Sequence, residues 1–416
     1  MQFIIFEDEK INGLQPLNLL KGSFDINVGI YSIFDSIYNR YGKKHTFTVI
    51  CRQELEEYQK QIKPDVNVND ISVEETLFIN GRVHLINLKE VVKKLPSDTV
   101  LFENDDLIFA KLSENNVLNF KNEFDKKNHV ELVKKLSLNV IESEDFAETY
   151  IRYENCWDTV RYFKEMLNVQ LEELLMQKRK NRKKKEKKIN ASDKNNIYIG
   201  KKVKISPEVV IENTDTFVYI DDEAVIEPFT YITGPVYIGK KATVKAGSRI
   251  YGPCSIGYTA KVSGEISHSI FNPYSNKQHD GFAGHSYISE FVNLGADTVT
   301  SNLKNNYSKI KIKKGDHKID SDMQFLGSLI GEHTKTGINT MLNTGTIIGI
   351  FANIAGGGFP DKEIGSFSWH ISGRDLERYR LKDSIDTAKI VMARRGIQMT
   401  KEYENLVTHV YNTFGK

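Results

Sequence analysis

Five histidines, His268, His279, His285, His317 and His333, fall in or near one C-terminal stretch of the sequence. An imidazole titrates near pH 6.5, so such a ring can take a proton from a reacting amine or, when neutral, bind zinc. Hydration chemistry at zinc needs three protein ligands and an open position. His279 and His285 are six residues apart and form no tight ligand pair on one strand, so no metal site is expected, and a zinc-dependent enzyme stands as an alternative that metal analysis would separate. The segment Asn272-Pro273-Tyr274-Ser275-Asn276-Lys277-Gln278-His279-Asp280-Gly281 is dense in polar groups. Asp105 and Asp106 could bind magnesium, and a paired-acid turn accounts for them equally. Arg374, Arg378, Arg380, Arg394 and Arg395 offer a phosphate contact near the C-terminus.

These groups need a scaffold, and 416 residues are enough for two or three domains. Lys+Arg 57 against Asp+Glu 55 leaves +2, which argues against a chain coated in nucleic acid. Cys51, Cys156 and Cys254 form no C-x-x-C pair, which excludes a disulfide framework and a thiolate zinc site and fits a reducing cytoplasm. The start lacks a basic n-region, and no stretch approaches eighteen apolar residues, so neither export nor a membrane span is expected. From Lys178 to Lys188, nine of eleven residues are Lys or Arg. A charged linker is the preferred reading there, over a polyanion or anionic-membrane patch. The helical face Val160, Phe163, Leu167, Leu171, Leu174 and Leu175 runs into it.

Upstream, Phe3 to Phe6 and Thr46 to Cys51 read as buried strands flanking a helix with Ile30, Ile33, Phe34, Ile37, Tyr38 and Tyr41 on one face and Gly42 as its cap. Thr76 to Ile79 and Thr99 to Phe102 add strands, so the first part is an α/β domain. After Asn195 the period changes. Ile220, Ile226, Ile232, Ile238, Val244, Ile250, Ile256 and Val262 step by six, with mostly small residues four positions after each. The segments Ile232-Thr233-Gly234-Pro235-Val236 and Ile250-Tyr251-Gly252-Pro253-Cys254 are eighteen residues apart, so three hexads make one coil of a β-solenoid in which Ile220, Ile238 and Ile256 stack. The pattern resumes at Phe282, Ile288 and Leu294, and again from Ile330 to Ile354, which leaves Ser267 to Gly281 and Ser301 to Gln324 as two insertions. Beyond Trp369, Leu376, Tyr379, Ile385, Ala388 and Val391 predict terminal helices over the open end.

The hexad array, Ala283-Gly284-His285-Ser286-Tyr287 and Gly295-Ala296-Asp297-Thr298-Val299-Thr300-Ser301-Asn302 together resemble the left-handed β-helix acyltransferases. The arrangement is similar to a divergent branch of the bifunctional enzymes that acetylate glucosamine-1-phosphate and join the product to a uridylyl group. The resemblance implies four regions: a nucleotide-diphospho-sugar-transferase-like α/β domain at 1–158, a helix and basic linker at 159–195, a left-handed parallel β-helix at 196–368 and a helical cap at 369–416. Handedness comes from the resemblance alone, since the hexad period does not set it and parallel crossovers are otherwise right-handed.

Carried over residue by residue, the resemblance makes His285 the general base, matched to an amino group that must lose a proton as it attacks a thioester. A backbone N–H beside the coil corner would serve the tetrahedral oxyanion. Lys277 would hold the sugar phosphate, His279 would be a further substrate-binding residue, Tyr287 would stand next to the substrate, Asn293 would contact the amino sugar, Asn302 would lie near the acetyl group and Ser328 would contact the acyl carrier. The implied donor is acetyl-CoA, the acceptor an amino-sugar phosphate of envelope-glycan precursor synthesis, and the assembly a homotrimer. Asp297 departs from the family's glycine. In the first half, Leu14-Gln15-Pro16-Leu17, Gly29-Ile30, Asn80-Gly81-Arg82 and Trp157-Asp158 resemble the divergent branch, while Lys21 and Asn27 replace arginines and Glu7, Asp8 and Glu9 replace the Gly-rich phosphate loop. UTP or a UDP-sugar, with magnesium, would be that half's ligand. Two further readings stand beside this one: a sugar-nucleotide-binding scaffold without catalysis, and a zinc β-helix enzyme of the carbonic-anhydrase type.

Overall fold

The structure is a computed structural model that describes residues 1–121, 136–141, 146, 148–179, 189–371 and 373–415. The basic run lies, from residue 180 to 188, outside the described residues. Contacts divide the chain into two units, Met1–Asn27 with Tyr31–Asn155, and Val28–Ile30 with Cys156–Lys416.

In the first unit β1 (Gln2–Phe6), α1 (Ile33–Tyr41) and β2 (Thr46–Ile50) form the expected parallel βαβ unit. Ser32 caps α1 by accepting from the Asp35 N–H at 3.0 Å, and Ile33, Phe34 and Ile37 are its buried face. With α2 (Glu56–Ile62), β3 (Asn67–Val68), β4 (Thr76–Asn80), β5 (Val83–Leu85), α3 (Leu88–Lys94), β6 (Thr99–Glu103), β7 (Asp106–Leu112), α4 (Glu114–Lys121) and β8 (Asn139–Ile141), the main sheet has the order β3-β2-β1-β4-β7-β6-β8. Its β7 runs antiparallel to both neighbours, and β5 pairs separately with β9 (Tyr150–Arg152). Asn104 and Asp105, at φ 50° and 63°, make the tight β6–β7 turn, so Asp105 is a turn residue. In an open sheet of this kind the crevice for ligands lies at the carboxyl ends of β1 and β4, where the strand order reverses.

His84, in β5, is 1% exposed and neither ring nitrogen has a hydrogen-bond partner among the described residues. Burial, and then the charge of Arg40, push its pKa down to about 3. Below pH 6.5 the unfolded chain binds a proton here that the folded chain does not, so stability is lost as pH falls from 6.5 toward 3, by up to about 1.4 kcal/mol per pH unit. His84→Phe is expected to flatten that loss, read as the urea midpoint at pH 7 and pH 4.5. An unchanged slope would show that the acid sensitivity lies elsewhere.

The second unit begins with two helices, α5 (Asp158–Arg161) and α6 (Phe163–Arg179). The anticipated apolar face of α6, with Phe163, Leu167, Leu171, Leu174 and Leu175 all buried, packs over the strands Val218–Ile220, Val236–Ile238 and Arg249–Ile256. Gly29 and Ile30 belong here too. The Ile30 N–H donates to Gln170 Oε1 at 2.5 Å, and a Cβ on Gly29 would lie 2.5 Å from that oxygen, which explains the Gly29-Ile30 fragment sterically.

The coils are parallel, with three inward stacks. Ile199, Ile220, Ile238, Ile256, Phe271, Ile288, Ile330, Ile348 and Ile364 form the first. Ile205, Ile226, Val244, Val262 and Lys277 form the second, and Ile211, Ile232, Ile250, Ile266, Ala283, Thr300 and Leu342 the third. The expected stacking of Ile220, Ile238 and Ile256 is therefore observed.

Two details differ from the hexad reading. Ser267 to Gly281 is no insertion but a shortened coil, in which Phe271 is the register partner of Ile256 and Lys277 that of Val262. The shortening also shifts the inward position from Phe282 to Ala283. Ser301 to Gln324 is a true insertion, since Leu342, the register partner of Thr300, comes much later in the chain than one coil requires. It carries the hairpin Lys311–Lys314 with His317–Asp320. The terminal helices α7 (Leu381–Ala393) and α8 (Lys401–Phe414) follow, although Leu376 precedes them and is exposed. Among the described residues no helix is long and apolar enough to cross a membrane.

Candidate functional site

His285 stands at the corner between the strands Phe282–Gly284 and Tyr287–Ile288, with φ 46°. Its ring stacks on His268, 4.3 Å away and tilted by 9°, and on Phe325, 5.1 Å away and tilted by 23°. At the edge, Asn302 meets Nδ1 at 2.9 Å. Gly284 makes room for that amide, because a Cβ there would lie 2.6 Å from Asn302 Nδ2. Nε2 makes no hydrogen bond within the described residues. Burial, and then the proximity of His268, push the ring's pKa down to about 3. It is a neutral imidazole at physiological pH, and one nitrogen is available to a ligand.

The tautomer follows from the amide. With the Asn302 NH₂ donating to Nδ1, the proton sits on Nε2 and that nitrogen cannot accept another. With the amide turned over, Nδ1–H donates to Oδ1 and Nε2 presents its lone pair. Only the second arrangement provides a base.

Beneath the corner the backbone is fully used. The N–H groups of Gly284, His285, Ser286, Gly327 and Ser328 donate to Thr300 Oγ1, the Ser267 carbonyl, Ser269 Oγ, the His285 carbonyl and Ser286 Oγ. The expected backbone donor for an oxyanion is therefore not one of these five. The Asn302 amide is a side-chain donor placed at the corner.

The other anticipated residues are distributed differently. Ser328 is on the coil beyond His285, with a buried hydroxyl that has no partner among the described residues. Tyr287 is 1% exposed and lies on the outward side of the strand whose inward residue is Ile288. Lys277 points into the second inward stack, and its ammonium donates to the carbonyls of His279 and Asp280, each at 2.9 Å. Burial, which outweighs the attraction of Asp280 and Asp297, pushes it down to about 8. His279 is exposed, and Asn293, also exposed, accepts from Asn276 at 2.8 Å on the face that carries the second stack. The structure thus joins His285 to Asn302 and leaves Lys277, His279 and Asn293 on another side of the coil. Asp297 lies on that side as well, at a left-handed corner with φ 56°.

Three lysines escaped sequence reasoning. Burial, and then the charges of Lys304 and Lys318, push the Lys362 ammonium below its usual range, while its Nζ donates to Thr344 Oγ1 at 3.2 Å. Lys318 also faces Lys313 directly across the hairpin, and two like charges so placed are unfavourable without an anion. Tyr287, Leu329, Ile347 and Glu363 are successive register partners, so Lys362 is about three strand spacings, or about 14 Å, along the axis from the His285 coil. The only sequence signal was the lysine density of the insertion.

The histidines do not converge on a metal. Parallel rings send the in-plane lone pairs of His268 and His285 side by side, and His333 meets the Tyr403 hydroxyl at 3.0 Å on a different corner. No group of three or more His, Cys, Asp or Glu suited to a metal occurs among the described residues. A cavity of about 740 Å³ between the terminal helices, lined in part by Lys389, Ile397, Met399 and Glu404, holds none of the anticipated site residues.

At the carboxyl ends of β1 and β4 in the first unit, Arg82 is 1% exposed and reaches Asp8 at 2.5 Å and Asp106 at 3.1 Å. Asp106 also meets Lys10 at 2.6 Å and Arg152 at 3.4 Å. Asn80 donates to Asp8 Oδ2 at 2.8 Å and to the Leu107 carbonyl at 2.9 Å. Asp8 caps the turn after β1 by accepting from the Lys10 N–H at 3.1 Å, where a phosphate-binding loop would present free N–H groups. With its carboxylates already neutralised by cations, this donor set does not fit a magnesium ion.

Residues 3–180 match the family described as sugar nucleotidyl transferase, a stretch that takes in the first unit together with α5 and α6. The bifunctional sugar-1-phosphate nucleotidylyltransferase/acetyltransferase of Sulfurisphaera tokodaii is 34% identical over 104 residues, 25% of this chain and 26% of that protein. The bifunctional protein GlmU of Methanocaldococcus jannaschii is 30% identical over 120 residues, 29% of each chain. The chain thus spans about a quarter of the length of the curated relatives it matches. Among solved structures, AntD, an N-acyltransferase from Bacillus cereus in complex with dTDP and 3-hydroxybutyryl-CoA, is 13% identical and covers 48% of this chain and 90% of its own, with a TM-score of 0.23 at which the likeness carries no argument. Residues 3–180 are thus similar to the sugar nucleotidyl transferases, and about a quarter of the chain is similar to the GlmU-like bifunctional proteins.

Proposed function

We propose that the second unit is an N-acyltransferase that moves an acetyl or related acyl group from coenzyme A to the amino group of a sugar phosphate such as glucosamine-1-phosphate. The observation that carries the reading is the His285 corner, where a neutral imidazole is held on His268 and Phe325, fixed at Nδ1 by Asn302, and left with one nitrogen to meet a substrate. In this reading Nε2 takes the proton released as the amine attacks the thioester carbon. The nitrogen–carbon bond forms, the tetrahedral oxyanion accepts from the Asn302 amide, and collapse expels the thiolate, which takes the proton back from His285. The first unit keeps the nucleotidyltransferase fold, with Arg82 occupying the carboxylates that a nucleotide's metal would need.

Acyl-CoA is the donor in this reading, and Lys304, Lys318 and Lys362 bind its phosphates, about 14 Å along the axis from the reacting centre. Lys318→Glu is expected to raise the KM for acetyl-CoA by about tenfold with kcat nearly unchanged, since it replaces an attractive charge by a repulsive one at a partly screened surface. An unchanged KM would remove the lysines from the donor site.

Asn293 and His279, on another side of the coil, complete the acceptor site from a neighbouring subunit of a homotrimer, and light scattering should give three chains. An active monomer would overturn the shared site. The deciding experiment is release of thiol from acetyl-CoA by the full chain, with glucosamine-1-phosphate as acceptor and UTP or UDP-sugars as ligands in parallel thermal-shift runs. Acceptor-dependent release supports the reading. Silence with every amino-sugar phosphate, together with no thermal response to coenzyme A, favours a scaffold.

A further inference from the structure

His268 occupies, one coil earlier, the position that His285 occupies at its own corner. Ser267 pairs with Gly284, both histidines have φ 46°, and the His285 N–H donates to the Ser267 carbonyl at 3.0 Å. Two residues in the left-handed region one above the other project their rings in the same direction, and the shortened local coil brings the two into register. The resulting stack, at 4.3 Å and 9°, is tighter than the contact of His285 with Phe325 at 5.1 Å.

The lower ring is itself anchored. The carbonyl of Val160, at the end of α5, lies close enough to the His268 ring to favour its protonated form, and Phe163 closes on it edge-on at 5.8 Å and 72°. That turn is tied down in its own right: Arg161 pairs with Asp158 at 3.2 Å and donates to the Ser321 carbonyl at 2.5 Å. A chain of contacts therefore runs from the α5–α6 turn through His268 to His285.

We infer that His268 is a positioning residue for His285, a fixed aromatic shelf on which the reactive imidazole rests so that its free nitrogen keeps one direction. The inference rests on the acyl-transfer reading for its kinetic consequence, but not for its structural one. An imidazole pinned at Nδ1 alone can swing about that bond, and a second flat surface removes the swing. The shelf has a charge requirement. His268 supports a developing imidazolium on its neighbour only while it is itself neutral, since a cation stacked on a cation is repelled. The charges bearing on the pair keep it so: Lys164 of α6 opposes protonation of His268 against the pull of the Val160 carbonyl, His268 opposes protonation of His285, and Asp158 and Arg161 answer each other. With burial as the leading cause, His268 is held down to about 4.

Two substitutions separate a shelf from a mere structural filler. His268→Phe keeps a flat ring and loses the imidazole nitrogens, while His268→Leu fills volume without a flat ring; His268→Ala removes both. Full-length variants with wild-type circular dichroism would be followed by NMR titration of the His285 ring and by kcat and KM for thiol release. In the Ala and Leu variants the His285 pKa is expected to rise by about one unit or more toward 6.5 as the ring frees itself, and kcat to fall by about 10- to 100-fold with KM within about twofold. The Phe variant should stay close to wild type in both. An unmoved His285 titration in the Ala and Leu variants, or a Phe variant as impaired as Leu, would overturn the inference. If the wild-type chain releases no thiol, the acyl-transfer reading fails while the NMR titration still decides the role of His268.

Discussion

His285→Ala should lower thiol release from acetyl-CoA by about 10²- to 10⁴-fold, with the KM for the donor little changed, because the variant removes proton transfer in the transition state and not a ground-state contact. The ring has few structural duties to confuse the result. It is half-buried at a corner, its backbone bonds to Ser267 and Gly327 survive the substitution, and among the described residues its ring stacks on His268 and Phe325 and hydrogen-bonds Asn302. The pH dependence adds a second constraint. With its pKa held near 3 by burial first and His268 second, the imidazole is already unprotonated throughout the neutral range. The acid limb of kcat/KM should then follow the amine of the acceptor and move with the acceptor's own pKa. A limb fixed near 6.5 with every acceptor would mean that the ring titrates as if in water. Equal rates for wild type and His285→Ala would remove the base from this corner altogether.

Much of the second unit was legible because an inward aliphatic side chain every six residues has one physical meaning, a tight corner repeated on stacked coils. The pattern located the coils from Ile199 to Val262 and their stacking partners. It failed where a coil falls short of three full hexads and places Lys277, an ammonium capped by two carbonyls, at an inward position that the pattern reserves for valine. A lysine in an aliphatic prism reads as a break, so an ordinary coil looked like an insertion and Lys277 like a surface group. The pairing of His268 with His285 was hidden for the same reason, since their spacing is off the period of three hexads; the register of Ile266 with Ala283, once known, makes it visible. His285 and Asn302 were found from the resemblance, not from their spacing. In the first unit the strands and α1 were readable from composition. The purpose of Asn80-Gly81-Arg82 was not, because its partners Asp8 and Asp106 lie 72 and 24 residues away.

Arg82→Met should destabilise the first unit by about 3–5 kcal/mol at pH 7, since it leaves the Asp8 carboxylate without its cation in a nearly dry site, while Asp106 keeps Lys10 and Arg152. Burial alone would push the Asp8 carboxyl up, but the hydrogen bonds and charge of Arg82, with a bond from Asn80, bring it below the usual range. In the native protein that contribution is present above pH 3.8 and is lost as pH falls through the lowered value. In the variant the sign reverses: without the guanidinium, desolvation dominates at Asp8, its carboxyl binds a proton more readily than in the unfolded chain, and acidification relieves the defect. The urea midpoint of Arg82→Met should therefore approach that of wild type between pH 7 and pH 4.5, and adding Asp8→Asn and Asp106→Asn should restore most of the loss at pH 7. A deficit that is constant with pH, or that survives the triple substitution, would show that Arg82 acts through packing. The functional consequence is separable. If this cation is what keeps magnesium from the carboxylates, the triple variant gains no metal affinity, because its oxygens are neutral, whereas Arg82→Met frees the Asp8 carboxylate at the switch point of the sheet, beside an Asp106 still held by Lys10 and Arg152, and should bind magnesium measurably by calorimetry. A chain whose ancestral site has merely been filled, and not dismantled, would respond in that way.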